Sequence, residues 1–355
     1  MSEREEKRRR ALALLDAEGL GALVLRRPGN VAWYSGGGRT HVLAMQEAGV
    51  ADVVVRREGD EVVTAVNEAP RLQAEELGGV GAFRVLGWGD DRDAALPHGD
   101  RVGCDGPLAG TRDVAAAVEA ARRALAPEEL GRYRALGRDA AEALTDTALA
   151  LEPRASEHAA AGAAARALLE RGIDPVVLLV AGEGRLPAHR HPLPTAEPLG
   201  RLAMVVVCAR RGGLIASLTR LVSFGPLDPR LADGHARLLR VDAAFNGATR
   251  PGARVGDVFA AGAAAYAANG FDPEEWRLHH QGGPTGYEPR DYAADHASEP
   301  RVVAGQAFAW NPSAPSLKSE DTVVAHDDGV EVLTVDPRWP ATSVDGLARP
   351  LVLER

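Results

Sequence analysis

Residues 127–335 run twice through the same order of elements, and that order narrows the fold more than any composition figure. The stretch APEE at 126–129 opens it: proline in a first helical turn, followed by two acids, marks a helix N-terminus. The apolar spacing predicts a long helix from Glu128 to about Leu151 and a second, capped by Ser156, to about Glu170. Apolar runs at Val176–Ala181, Leu202–Ala209 and Leu214–Val222 read as strands, the last two joined by a Gly212–Gly213 turn. Two further helices, Pro229–Gly247 and Val255–Asn269, lead to strands at Val302–Trp310, Thr322–His326 and Val330–Val335. The helix–helix–strands order is duplicated in pattern, not in sequence. It predicts sheets with paired helices packed on one side.

Residues 1–125 read as a separate, smaller domain of alternating elements, which gives an α/β (α+β) chain with domains 1–125 and 126–355. A helix from Glu3 to Glu18, ended by Gly19, precedes strands at Ala22–Leu25, Val53–Arg56 and Glu61–Val66, a helix near Ala69–Leu77, and strands at Arg84–Leu86 and Arg101–Cys104. Aromatic residues are only 5% of the 355, so the core must be built mainly from Ala, Val and Leu. The net charge of −9 repels phosphate backbones and argues against nucleic-acid partners. Two distant cysteines, Cys104 and Cys208, exclude a Cys-based zinc site or a disulfide scaffold and suit a reducing compartment. Asp16 and Glu18 interrupt any signal-peptide core, and no apolar run approaches the roughly 18 residues of a membrane span. The expectation is a cytoplasmic protein without a membrane partner.

The sequence lacks GxxxxGK[ST], GxGxxG after a strand, HExxH and GxSxG. Its polar chemistry concentrates in four segments. In LPAHRHPLPT (186–195), His189 and His191 alternate by two, so extended backbone would place both on one face as a metal pair or base; surface histidines on a loop are the bland alternative. In MVVVCARRGGLIASLTR (204–220), Ser217 and Thr219 share a strand face, and Cys208 reads as a small core residue. In LHHQGGPTGYEPRDY (278–292), His279, His280, Tyr287 and Arg290 crowd into one glycine-rich stretch, where glycine lets a backbone approach a ligand. In FAWNPSAPSLKSEDT (308–322), Asn311 and Glu320 sit where apolar strands meet a proline-rich loop, with Lys318 either at the site or a solvated hairpin charge.

At these segments the chain resembles the pita-bread family of methionine aminopeptidase, aminopeptidase P, prolidase and creatinase. The two-domain plan and NVAWYSGG at 30–37 are similar to the aminopeptidase P/prolidase/creatinase branch. GQAFAW at 305–310, EDTVV at 320–324 and Asp328–Gly329 follow that family's closing hairpins. The resemblance implies two divalent metals held by two Asp, one His and two Glu. Carried over singly, these positions fall on Val206, Ser217, His280, Asn311 and Glu320. Paired divalent ions need bridging carboxylates to hold them together, and a hydrocarbon, a hydroxyl and a carboxamide supply none. A pocket without metal or cofactor is therefore expected. A single ion on His191, His280 and Glu320 is the alternative.

Creatinase, in the same family, cleaves a C–N bond without metal through a histidine proton shuttle. Its His-x-x-x-Thr pattern falls on His191 and Thr195, and its substrate-binding His and Arg on His280 and, one residue out of register, Arg290. Its two glutamates are Ser217 and Asn311 here. The resemblance thus implies a metal-independent hydrolase or lyase acting on a C–N bond of a small amide, amidine or amino-acid derivative. His191, His280 and Glu320 would be catalytic, with His191 the general acid/base. Tyr287, Asn311, Ser217, His279, Arg290 and Lys318 would bind an anionic or zwitterionic substrate, with Arg290 on its carboxylate. A homodimer is implied too. A metal-dependent aminopeptidase or dipeptidase, and a homologue that binds without catalysis, are the competing readings.

Overall fold

In the computed structural model, which describes residues 1–43 and 46–355, helix α1 (Glu3–Glu18) starts from a reciprocal cap and stops at a glycine. Ser2 Oγ accepts from Glu5 N at 3.3 Å while the Glu5 carboxylate accepts from Ser2 N at 2.7 Å, and Gly19 takes the left-handed conformation (φ 66°) that ends the helix. Two compact units follow from the contacts of the chain: Met1–Glu129 with Gly212–Leu214, and Leu130–Arg211 with Ile215–Arg355.

The first unit holds a mixed sheet of β1 (Ala22–Leu25), β2 (Ala51–Val55), β3 (Asp60–Ala65), β4 (Ala82–Leu86), β5 (Val102–Cys104) and β6 (Arg112–Asp113), in the order β4-β3-β2-β1-β5-β6. Val24, Val54, Val63 and Cys104 bury their side chains in one cluster on it. Helix α2 (Pro28–Ser35), read from sequence only as part of a resemblance, is anchored by Asp105. That buried carboxylate accepts from Arg26 N (2.7 Å) and Asn30 Nδ2 (2.8 Å), and burial pushes it up to about 6. The turn α3 (Ala69–Arg71) and helix α4 (Ala115–Arg122) complete the unit; sequence periodicity did not anticipate α4. Trp33 and Tyr34 are fully buried core residues.

Both copies of the helix–helix–strands pattern are present in the rest of the chain. Helix α5 (Pro127–Ala150) and α6 (Glu157–Leu169), the latter capped by Ser156 Oγ on Ala159 N at 3.1 Å, precede β7 (Asp174–Gly182), β8 (Leu202–Arg211) and β9 (Leu214–Ser223). Helices α7 (Pro229–Ala248) and α8 (Val255–Ala268) precede β10 (Gly282–Thr285), β11 (Ala307–Trp310), the small hairpin β12 (Ser313–Ala314) and β13 (Leu317–Lys318), then β14 (Asp321–His326) and β15 (Gly329–Val332). A second hairpin, β16 (Ala341–Val344) with β17 (Leu347–Pro350), and β18 (Leu353–Glu354) end the chain. The sheets are β18-β9-β8-β7 and β10-β11-β14-β15.

The predicted strand Val302–Trp310 shortens to β11 because Gly305 turns the backbone at φ 76°. Leu238, Val241 and Phe245 of α7 and Phe259 and Tyr266 of α8 pack with Phe308, Trp310 and Val323 of the sheet, the Phe245 and Trp310 rings stacked at 4.9 Å. A Cβ at Gly262 would stand 2.2 Å from Phe245 Cε1, so α8 needs a bare backbone where α7 crosses it. This is the paired-helix-on-sheet architecture that the duplicated pattern predicts. Among the described residues no helix is long and apolar enough to cross a membrane.

Candidate functional site

Strand β14 begins beside Glu320, whose backbone carbonyl accepts from Thr219 N of β9 at 3.0 Å. This places the Glu320 side chain, 2% exposed, among three donors. Oε2 accepts from Lys318 Nζ (3.0 Å) and Thr219 Oγ1 (2.9 Å), and Oε1 from Arg290 Nη2 (2.7 Å). Burial alone would raise this carboxyl, but the Lys318 and Arg290 charges and these hydrogen bonds hold it at about 2. Lys318 is 4% exposed, so the solvated-charge reading is corrected: the β12–β13 hairpin turns its ammonium onto a buried carboxylate. Arg290 also donates to Ser217 Oγ at 3.3 Å and to its neighbour Pro289 O at 2.5 Å, and its Nε has no hydrogen-bond partner among the described residues. One carboxylate thus faces two cations.

Three imidazoles stand next to this cluster. His191 Nε2 lies 2.9 Å from His279 Nε2, the His279 and His280 rings stack at 4.5 Å, and His191 and His280 centroids are 5.4 Å apart. Burial first, then the Lys318 charge, lowers His191 and takes His279 to about 2; burial and then Arg290 take His280 to about 4. At neutral pH the trio is therefore uncharged, and one nitrogen of the His191–His279 contact donates to the other.

The segments that carry these rings are tied down. Gln281 Nε2 donates to His279 O (2.6 Å) and Trp276 O (2.9 Å), and its Oε1 accepts from Tyr266 OH at 2.8 Å. On the other side, the buried Glu157 of α6 receives Gly182 N (2.9 Å), Thr195 N (2.9 Å), Thr195 Oγ1 (2.7 Å) and the Arg185 guanidinium. Arg190 pairs with Glu275 and reaches Ser313 Oγ at 3.3 Å, joining the His191 loop to the segment before His279. Residues 186–191 run through turns and bends rather than a strand, so the two-residue alternation does not apply. His191 joins the trio, whereas His189 lines a cavity of about 10 Å³ with Leu186, Met204 and Lys318. Gly282 (φ 94°) serves packing rather than a ligand: a Cβ there would meet Ala309 O of β11 at 2.1 Å.

The remaining positions bear on the fit to paired divalent ions. Val206 is buried in an apolar cluster with Leu179, Met204 and Leu221. Ser217 Oγ donates to the buried Cys208 Sγ at 3.3 Å. Asn311 N donates to Gln281 O at 3.0 Å, and its buried Oδ1 has no partner. Glu320 is already matched by two cations. This donor set offers no bridging carboxylate and does not fit a dinuclear centre. Tyr287 is buried on the loop after β10. Arg220, next to Thr219 on β9, turns away to Asp321 (3.0 Å) and Thr334 O (2.6 Å). Sequence reasoning missed Glu157, Glu275, Gln281 and Thr219 as supports; only Thr219, sharing a face with Ser217, carried a usable signal.

The family model for metallopeptidase family M24 matches residues 131–332. No curated protein matches the sequence. Among solved structures, a prolidase from Pyrococcus horikoshii superposes with TM-score 0.78 at 16% identity, over 94% of this chain and 99% of its own. Dipeptidase PepE from Mycobacterium ulcerans gives 0.77 at 20%, over 99% and 98%. The N-terminal domain of FACT complex subunit SPT16 from Cicer arietinum gives 0.69 at 14%, over 94% and 96%. These likenesses establish the fold, and the family match extends over both helix–helix–strands copies: the chain belongs to metallopeptidase family M24 and has its pita-bread fold.

Proposed function

We propose that this M24 member hydrolyses a C–N bond of a small, carboxylate-bearing amide or amidine without a paired-metal centre. One observation carries the reading: Glu320 pairs with both Arg290 and Lys318, so the ion pairs described at this site hold one more cation than anion, beside three neutral imidazoles. Such a site favours an anionic or zwitterionic ligand. Arg290 Nε and Asn311 Oδ1, both buried and without partners, offer that ligand one donor and one acceptor. His191, exposed and neutral, takes a proton from water as the water attacks the carbonyl or amidine carbon, then returns it to the departing nitrogen. His279 orients it, and His280 and Tyr287 hold the substrate. Glu320, its oxygens engaged, fixes Arg290 and Lys318 rather than acting as a base. Two free, buried cysteines suit the reducing cytoplasm this proposal includes, along with a homodimer.

The test is turnover by protein stripped with chelator, screened over amides and amidines of amino acids. His191→Ala is expected to lower kcat/KM about 10²–10³-fold. Activity that appears only with added Mn²⁺ or Co²⁺ would overturn the reading in favour of a metal-dependent aminopeptidase or dipeptidase. A non-catalytic reading has its own support, since the similar SPT16 domain belongs to a complex subunit. Saturable binding of a substrate candidate with no product would favour it.

A further inference from the structure

We propose that His191, His279 and His280 form a site for one late first-row transition ion, zinc above all, which shares only His280 with the positions of a paired-metal centre. Each of the three residues offers a ring nitrogen, and these atoms all lie within 4.8 Å of one another. In a tetrahedral zinc site with bonds of about 2.0 Å, ligand nitrogens stand roughly 3.3 Å apart. The 2.9 Å between the Nε2 atoms of His191 and His279 needs to open by a few tenths of an ångström, and the wider separations, all within 4.8 Å, need to close, as an ion replaces the shared proton. Three histidines leave a fourth position open, and His191 and His280 are exposed, so an ion can enter from solvent.

The surroundings select the kind of ion. Lys318 and Arg290 outweigh Glu320 in charge, which penalises any cation and discriminates against hard ions that bind imidazole weakly. The same surplus favours an anion, hydroxide or carboxylate, as the fourth ligand. The Arg190–Glu275 pair holds the two ligand-bearing segments together, and the Gln281 amide fixes the one that carries His279, before any ion arrives. Glu320 is not a ligand here, because its oxygens are engaged; His279, which the paired-metal pattern does not include, takes its place.

The experiment titrates chelator-stripped, full-length protein with Co²⁺, followed by visible absorption, and with Zn²⁺ by competition. One ion per chain with tetrahedral-type Co²⁺ bands is expected, together with Zn²⁺ binding at least 100-fold tighter than Mn²⁺. His279→Ala and His191→Ala should each weaken Zn²⁺ binding at least 100-fold, and His189→Ala should leave it unchanged; melting curves check that each variant is folded. His191 is exposed, so its variant keeps the test usable if His279→Ala does not fold. Two ions per chain, Mn²⁺ bound as tightly as Zn²⁺, or full affinity in folded His191→Ala would overturn the site. An ion on His191 would occupy the base of the proposed reaction and inhibit it; binding is read on chelator-stripped protein without turnover, so the two readings fail separately.

Discussion

Glu320 and Asp321 are neighbours in sequence, both are buried, and each meets two cations, yet their surroundings differ in balance. Asp321 takes Arg220 (3.0 Å), Arg349 (2.9 Å) and Thr334 Oγ1 (2.7 Å), and Arg349 also pairs with Asp242. Two carboxylates face two guanidinium groups there, and the network closes on itself in the core. On the Glu320 side one carboxylate faces Arg290 and Lys318, next to exposed imidazoles. Consecutive residues on a strand point to opposite faces, so one short stretch serves both a neutral core and a positively biased site. Balanced charge reads as architecture; unbalanced charge at an accessible place reads as a request for a ligand.

The largest expected effect breaks the balanced side. Replacing Arg349, 0% exposed, leaves Asp321 with Arg220 and Asp242 with the Ser319 and Asn246 hydrogen bonds, so Arg349→Met should destabilise the protein by about 3–5 kcal/mol in denaturant unfolding. A loss below 1 kcal/mol would show that this network is dispensable. The next concerns acid. Burial and Arg349 lower the buried His235 to about 4, so the unfolded chain takes up its proton first as pH falls. Stability present above pH 6.5 should drain away between about 6.5 and 4, by about 3 kcal/mol in all. His235→Gln should flatten that part of the melting-temperature profile. Glu320, held at about 2, contributes in the same direction but lower, between its ordinary carboxylate range and about 2.

On the unbalanced side the expected losses are smaller. Lys318→Met leaves Glu320 with Arg290 and Thr219, and should cost about 1–3 kcal/mol in unfolding while abolishing preference for anionic ligands in thermal-shift screens. An unchanged ligand preference would remove Lys318 from the recognition reading. The smallest effect is at Ser156, whose replacement by Ala removes the α6 cap and should cost about 1 kcal/mol.

How far these regions were readable in the sequence follows the range of the interactions. The helices α5 to α8 carry periodic apolar faces, α6 and α7 with side-chain caps, and their bounds lie within a residue or two of expectation. Helix α2 escaped because PGNVAWYS is short, apolar on most sides and followed by glycines. Strand β18 escaped because its partner, β9, lies far back in the chain. The histidines and Glu320 stood out by family pattern. Their partners did not: Lys318 looked like a hairpin charge, and nothing local announced that Arg290 would reach the same carboxylate. Arg349 carried no signal, since a lone arginine in a C-terminal strand reads as solvated until the fold buries it.

The Glu157 clasp has a consequence for anyone surveying variants. None of its hydrogen bonds reaches an imidazole, yet it fastens both Gly182 and Thr195, the flanks of the span bearing His191. A screen scored on turnover would therefore flag a position on helix α6 as if it were chemical, when its real task is that of a mooring line.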